Sequence, residues 1–101
     1  MTDAAGNPTR IDRAAYALEI SGDSLEPIYR NGDLVIVSPS APIRHGDRVV
    51  IRTNKGELMA RQLARRTAQR VELSSLSPAH PDCGFDLAEL AWMHRIIWAS
   101  Q

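Results

Sequence analysis

Residues 31–37 read Asn-Gly-Asp-Leu-Val-Ile-Val, and residues 46–51 read Gly-Asp-Arg-Val-Val-Ile. In both segments a Gly-Asp turn signal comes directly before a run of apolar, mostly β-branched residues, which is typical of a turn that leads into a β-strand. The run at residues 34–37 is continuously apolar and predicts a strand that is covered on both faces. These two segments favour a β-rich domain.

Short apolar runs separated by turn residues continue on both sides of this stretch. Asn54-Lys55-Gly56 is a hairpin-turn signal between two of the runs. Helical turns are expected only at residues 24–29 and 87–90. The predicted strands lie near residues 16–20, 34–37, 48–52, 57–65 and 70–73, with a last strand at 96–98 that starts as early as Ala91.

The length and charge of the chain limit its organisation. Its 101 residues suit one small domain, which we place at residues 16–101. Residues 1–15 show neither strand nor helix periodicity, and we predict a flexible N-terminal arm or linker remnant there. The chain carries 12 Lys and Arg against 12 Asp and Glu, so it lacks the basic surface of a protein that binds nucleic acid by itself.

The sequence supports neither a membrane protein nor a metal-binding protein. No apolar run approaches the ~20 residues that span a bilayer, so we expect a cytoplasmic protein without a membrane partner. His80 and Cys83 are three positions apart, but a closed zinc site uses four ligands, and this chain has one Cys and three His. We therefore expect neither a metal nor a cofactor.

A longer pattern links the two Gly-Asp strands to their neighbours. Residues 21–27 read Ser-Gly-Asp-Ser-Leu-Glu-Pro before the first of them, and residues 56–63 read Gly-Glu-Leu-Met-Ala-Arg-Gln-Leu after the second. In this order the segments resemble the C-terminal domain of LexA and of phage repressors, over residues 16–100. That family consists of self-cleaving serine peptidases with a Ser–Lys dyad, distantly similar to signal peptidases. The resemblance implies a small mixed, twisted β-sheet or partly open barrel.

The resemblance also assigns the two positions of the dyad. Ser24 matches the nucleophile, and Arg61 stands where the family has its Lys general base, 37 positions later. A buried lysine can lose its proton and then accept one from a serine. A guanidinium stays protonated in proteins, so it can donate hydrogen bonds but cannot accept the serine proton. The substitution predicts a degenerate, inactive dyad and leaves enzymatic activity uncertain.

The same residues have simpler interpretations. Ser24 could cap a short helical turn, and Arg61 could extend to solvent from an apolar strand face or pair with the carboxylate of Asp23 or Glu26. Four other residues are candidates for a substitute base, and the sequence places none of them near Ser24: His45, Lys55, His80 and His94.

The resemblance implies a transcription regulator of the LexA or phage-repressor type. In that family an N-terminal helix-turn-helix domain binds DNA while the C-terminal domain forms a homodimer, and cleavage prompted by a recombinase filament relieves repression in the SOS response. We expect the DNA-binding domain to lie outside these residues, and the apolar strand at 96–98 to form part of the dimer surface. The alternatives are an active self-cleaving peptidase using Ser24, a signal peptidase, and an unrelated small β-barrel.

Overall fold

A computed structural model describes residues 14–22, 25–78 and 80–100 of the chain. Within these residues the backbone forms seven β-strands and one turn of 3-10 helix at Leu87–Glu89. The strands are β1 (Tyr16–Glu19), β2 (Leu34–Ser38), β3 (Arg48–Thr53), β4 (Leu58–Arg66), β5 (Arg70–Ser74), β6 (Cys83–Asp86) and β7 (Leu90–Ala99). The prediction of a mainly β domain is confirmed, and β6 lies where no strand was predicted.

The seven strands form one sheet in the order β1-β2-β7-β3-β4-β5-β6. All described pairings are antiparallel, where the family resemblance implies a mixed sheet. Strands β3, β4 and β5 follow each other through tight turns, and a tight turn can join only antiparallel strands. The last strand, β7, inserts between β2 and β3, so the end of the chain occupies the middle of the sheet.

The two Gly-Asp segments form matching turns before β2 and β3. In the first turn, the Arg30 amide donates to Oδ2 of Asp33 over 2.8 Å, and the Asp33 amide donates to the Arg30 carbonyl over 3.0 Å. The second turn repeats both bonds between Arg44 and Asp47 at the same distances. The glycine at the third position of each turn has a φ of 92°, which type II turns require and other residues rarely adopt. The predicted turns are confirmed.

Two groups of buried apolar side chains form the core. Val49 and Val50 are consecutive in β3 but belong to different groups, because successive strand residues point to opposite faces of the sheet. At β3 the two groups therefore lie on opposite faces. The first cluster comprises Tyr29, Val35, Val37, Val50, Ala60 and Leu76. The second cluster comprises Val49, Ile51, Leu63, Val71 and Leu73.

Strand β2 is covered on only one face. Val35 and Val37 are fully buried in the first cluster, but Leu34 is 44% exposed and Ile36 is half-buried. The prediction of a strand covered on both faces is therefore wrong, because a continuous apolar run cannot distinguish a buried face from an exposed apolar one.

An irregularity in the ladder between β2 and β7 enlarges this exposed apolar surface. Ile36 pairs with Trp98 while Val37 pairs with Ile96, so Ile97 is an extra residue in a β-bulge. The bulge interrupts the alternation of faces, and Ile97 and Trp98 are 45% and 55% exposed although they are consecutive. Leu34, Ile97 and Trp98 together are called the β2–β7 patch below.

Candidate functional site

Arg61 lies in the middle of β4, opposite Val49 of β3, and its side chain is half-buried. Alternation along the strand puts it on the same side as Met59 and Leu63, which both pack in the second cluster. The predicted general-base position, residue 61, therefore has apolar neighbours along its own strand.

Strand β4 has an open edge over residues 58–61. Its ladder with β5 begins at Gln62, so no described strand pairs with the preceding residues on that side. The Leu63 amide donates to the Asp47 carbonyl, on the β3 side, over 2.9 Å. Because backbone groups alternate along an antiparallel strand, the N–H and carbonyl of Ala60 point away from β3, toward the open edge.

The Arg61 guanidinium folds back onto this open edge. Its Nη1 donates to the Ala60 carbonyl over 2.8 Å. Its Nε is buried and has no hydrogen-bond acceptor among the described residues. A buried donor without an acceptor lowers the stability of the folded chain by about 1–3 kcal/mol. The site therefore contains a charged group with one unsatisfied donor.

A cleft of about 410 Å³ lies beside the guanidinium. Most of its wall is apolar. Strand β4 contributes four of the lining residues, β1 contributes two, and β2, β3 and β7 contribute one each. The lining residues are Leu18, Glu19, Ile20, Ser21, Leu25, Val35, Val50, Leu58, Met59, Ala60, Arg61, His80 and Ile96. A cleft of this size and composition is typical of a small-ligand or peptide site.

Ser24, the predicted nucleophile, lies outside the residues that the structure describes, as does Asp23. The chain on either side of these two residues contributes Ser21 and Leu25 to the lining of the cleft. The segments that flank the predicted nucleophile and the strand that carries Arg61 therefore meet at one cleft.

Of the four residues weighed as a substitute base, His80 lines the cleft. Lys55 is exposed in the turn between β3 and β4, and His45 is exposed in the turn before β3. The connection between β5 and β6 brings His80 to the cleft. No local pattern in the sequence marks this placement, because it depends on the path of a loop rather than on a strand period.

The fourth of these residues, His94, belongs to an aromatic group on β1 and β7. Its ring stacks on Trp92 with centroids 4.2 Å apart and planes 9° apart. Its Nδ1 lies 2.9 Å from the Tyr16 hydroxyl, which is hydrogen-bond distance. Burial lowers the pKa of His94 and raises the pKa of Tyr16, so the neutral form of each side chain is favoured.

The structure gives no role to the spacing of His80 and Cys83. Cys83 is a half-buried free thiol in β6 that packs against the second cluster. Among the described residues, no group of three His, Cys, Asp or Glu side chains could hold a metal ion.

The antiparallel sheet and the cleft that Arg61 lines are the setting for a comparison with known proteins. Residues 3–97 match the family described as Peptidase S24-like, and the chain belongs to this family. The resemblance seen in the Ser-Gly-Asp and Gly-Asp segments is confirmed.

The chain is similar to the prophage repressor CohE of Escherichia coli (strain K12). The two are 34% identical over 76 residues, which is 74% of this chain and 34% of the relative. The chain thus spans about a third of the length of the curated relative that it matches. In the described part of the chain, no helix is both long and apolar enough to cross a membrane.

Proposed function

We propose that the chain is the C-terminal regulatory and dimerisation domain of a LexA- or phage-repressor-like transcription regulator. The Peptidase S24-like match and the similarity to a prophage repressor support this role. DNA binding is assigned to a separate N-terminal helix-turn-helix domain, because the formal net charge here is zero and a domain without excess positive charge has little attraction for phosphates. The proposed setting is the bacterial cytoplasm, with a recombinase filament as the relieving signal.

The β2–β7 patch is the proposed dimer surface. Its three apolar side chains are each between 44% and 55% exposed, and interface cores favour aromatic and apolar residues. Ile96, which was predicted to share this surface, lines the cleft and packs against the first cluster instead. The proposed dimer surface therefore consists of Ile97 and Trp98 of β7 and Leu34 of β2.

Sedimentation equilibrium of the purified chain tests this surface. The wild-type chain should have the mass of a dimer, and Trp98→Asp should have the mass of a monomer, because a carboxylate would be buried without a partner. Leu58→Asp is a matched control: Leu58 is 49% exposed but lies at the cleft, so this variant should remain a dimer. A Trp98→Asp dimer would contradict the proposal.

Ser24 and Arg61 form the proposed remnant of a Ser–Lys dyad that no longer cleaves. The observation that carries this proposal is the bond from Arg61 Nη1 to the Ala60 carbonyl. In this bond the Arg61 side chain is a donor, whereas a general base would have to accept the serine proton, and this contrast supports the proposal. One donor can contribute a few kcal/mol to a transition state, but it does not activate a serine hydroxyl.

A fluorophosphonate that reacts with activated serines tests the dyad, with intact mass as the measurement. The wild-type chain should stay unlabelled at alkaline pH, where a lysine would lose its proton. Arg61→Lys should gain one label, and the double variant with Ser24→Ala should lose it. Wild-type labelling that disappears in Ser24→Ala would instead show an active serine.

One observation favours that second candidate, an active peptidase. His80 lines the same cleft as Arg61, and histidine is the usual general base for a serine. If the wild-type chain is labelled, His80→Gln should abolish the labelling while His45→Gln, in an exposed turn, should preserve it.

A further inference from the structure

We propose that Asn31 is a positioning residue that holds one wall of the cleft. Ile20 and Ser21 line the cleft. The next residue, Gly22, donates its backbone N–H to Oδ1 of Asn31 over 2.8 Å. The predicted nucleophile, Ser24, follows two positions later. The inference rests on the proposed function, because it makes the reactivity of this serine depend on the Asn31 side chain.

The turn before β2 is attached to Ile20 through its backbone. The Ile20 amide donates to the Asp33 carbonyl over 2.8 Å, and the Gly32 amide donates to the Ile20 carbonyl over 2.8 Å. Because both bonds join backbone groups, they do not depend on the side chain of residue 31. They hold the chain as far as Ile20, and the bond from Gly22 to Asn31 extends the attachment by two residues toward the predicted nucleophile.

The turn before β3 repeats these backbone bonds with a different side chain at its second position. The Leu63 amide donates to the Asp47 carbonyl over 2.9 Å, and the Gly46 amide donates to the Leu63 carbonyl over 2.8 Å. The residue that corresponds to Asn31 is His45, which is exposed and whose side chain has no hydrogen bond within the described part of the chain. Such a turn therefore forms without asparagine, so the bond of the Asn31 side chain serves the neighbouring segment rather than the turn itself.

The group that Asn31 holds belongs to a residue with unusual conformational freedom. Gly22 has a φ of 82°, and a glycine has more backbone states to lose than any other residue. Its bond to Asn31 is exposed, so water competes with it and its net strength is that of one ordinary hydrogen bond. Loss of the bond should therefore release the backbone at Gly22 without unfolding the sheet.

The chain after Ser24 is attached to the core independently of Asn31. The amides of Ile28 and Tyr29 donate to the Leu25 carbonyl over 3.0 and 3.1 Å, and Tyr29 is 1% exposed in the first cluster. With this side fixed, the Asn31 bond governs how firmly the preceding side is held. Its loss should lower the reactivity of Ser24, because a displacement of about 1 Å at a reacting group can slow a reaction about 100-fold.

Hydrogen exchange of the Gly22 amide, followed by nuclear magnetic resonance on the full chain, tests the bond directly. In Asn31→Ala this amide should exchange about 2–10-fold faster than in the wild-type chain, which corresponds to the net strength of one hydrogen bond. Asn31→Asp keeps an oxygen acceptor and should keep the slow exchange. His45→Ala changes the corresponding residue of the other turn and should leave the exchange of Gly22 unchanged.

Serine labelling in the Arg61→Lys chain tests the consequence for the cleft, with the rate of reaction with the fluorophosphonate measured across pH. Adding Asn31→Ala should lower the plateau rate at least ~10-fold. The pH midpoint should stay the same, because it reports the introduced lysine and not the position of the serine. Asn31→Asp should restore the rate, and His45→Ala should keep it. Amide spectra check that each variant is folded.

Exchange of the Gly22 amide that is as slow in Asn31→Ala as in the wild-type chain would overturn the inference. So would an Asn31→Ala variant that keeps the full labelling rate, or a loss of rate that Asn31→Asp fails to restore. A shifted pH midpoint would show that Asn31 acts on the base instead of the cleft wall. If Arg61→Lys gains no label at all, the proposed dyad is contradicted, and the exchange of Gly22 then decides the positioning role by itself.

Discussion

The two core clusters differ in how completely they are enclosed. All five buried members of the second cluster are branched aliphatic residues at 3% exposure or less. The first cluster contains two less buried members, Ala60 at 6% and Leu76 at 8%, and it borders the cleft through Val35 and Val50. The second cluster is thus a closed core, and the first cluster is a core that borders an opening.

Because of this difference, one part of the small sheet can serve mainly stability and another part can serve ligand binding. An enclosed aliphatic side chain contributes its full apolar area and dense contacts to the folded state. A side chain on the wall of an open cleft contributes less but offers a surface to a ligand. Because β3 and β4 supply residues to both clusters, the closed cluster can hold the strands in place while the other borders an open cleft.

The comparison of the two clusters predicts the largest loss of stability at Leu73, which is 1% exposed in the second cluster. Leu73→Ala should lower the free energy of unfolding by about 2–5 kcal/mol, because it leaves a cavity that the sheet cannot close. Urea denaturation measures the change. Leu73→Met nearly conserves the volume and should cost less than about 1.5 kcal/mol; similar losses in both variants would argue against a tightly packed second cluster.

A smaller effect is expected at Leu18, a half-buried residue of β1 that lines the cleft. Leu18→Ala should lower the free energy of unfolding by about 1–2 kcal/mol, since one side of the leucine already faces open space and less apolar area is lost. The same urea experiment compares it with Leu73→Ala. Equal losses at the two positions would remove the distinction between an open and a closed cluster.

The free energy of unfolding should also depend on pH, because of His94. Burial lowers the pKa of His94 in the folded chain below its ordinary value of 6.5, so the unfolded chain binds this proton more readily. The free energy of unfolding should therefore fall as the pH drops below about 6.5. Thermal unfolding should give a lower Tm at pH 5.5 than at pH 7.5, and His94→Gln should reduce the difference. His45→Gln, which changes an exposed turn residue, should leave it unchanged.

The smallest effect on folding is expected in the β2–β7 patch, whose residues belong to neither core cluster. Ile97 is 45% exposed in the bulge of β7. Ile97→Thr should change the free energy of unfolding by no more than about 0.5 kcal/mol, measured at a dilution where the chain is monomeric. A loss as large as that of Leu18→Ala would place Ile97 in the core rather than on a surface.

Much of the local structure follows from short-range patterns in the sequence. The strands around 34–37, 48–52 and 70–73 and the hairpin at Asn54-Lys55-Gly56 agree with β2, β3, β5 and the turn before β4. Alternation and turn glycines act over a few residues, so they can be recognised without knowing the fold. The 3-10 turn at Leu87–Glu89 also agrees with the helical turn predicted at 87–90.

The features that were missed depend on distant parts of the chain. Strand β6 reads Cys-Gly-Phe-Asp, too short and too weakly patterned to be recognised, and its pairing with β5 makes it a strand. The exposure of Leu34 depends on what covers β2, and the exposure of Ile97 and Trp98 depends on a bulge that exists only in the ladder between β2 and β7.

The sequence by itself determined the chemistry available to this protein: a serine and an arginine at the predicted dyad positions, apolar strands, and no excess of charge. Only the tertiary structure decided how Arg61 uses that chemistry. Side-chain identity fixes that a guanidinium donates and stays charged. Which groups surround the Arg61 guanidinium depends on three long-range features: the insertion of β7 between β2 and β3, the start of the β4–β5 ladder at Gln62, and the path of the loop at His80. Pairing between distant segments forms the walls and the open edge of the cleft.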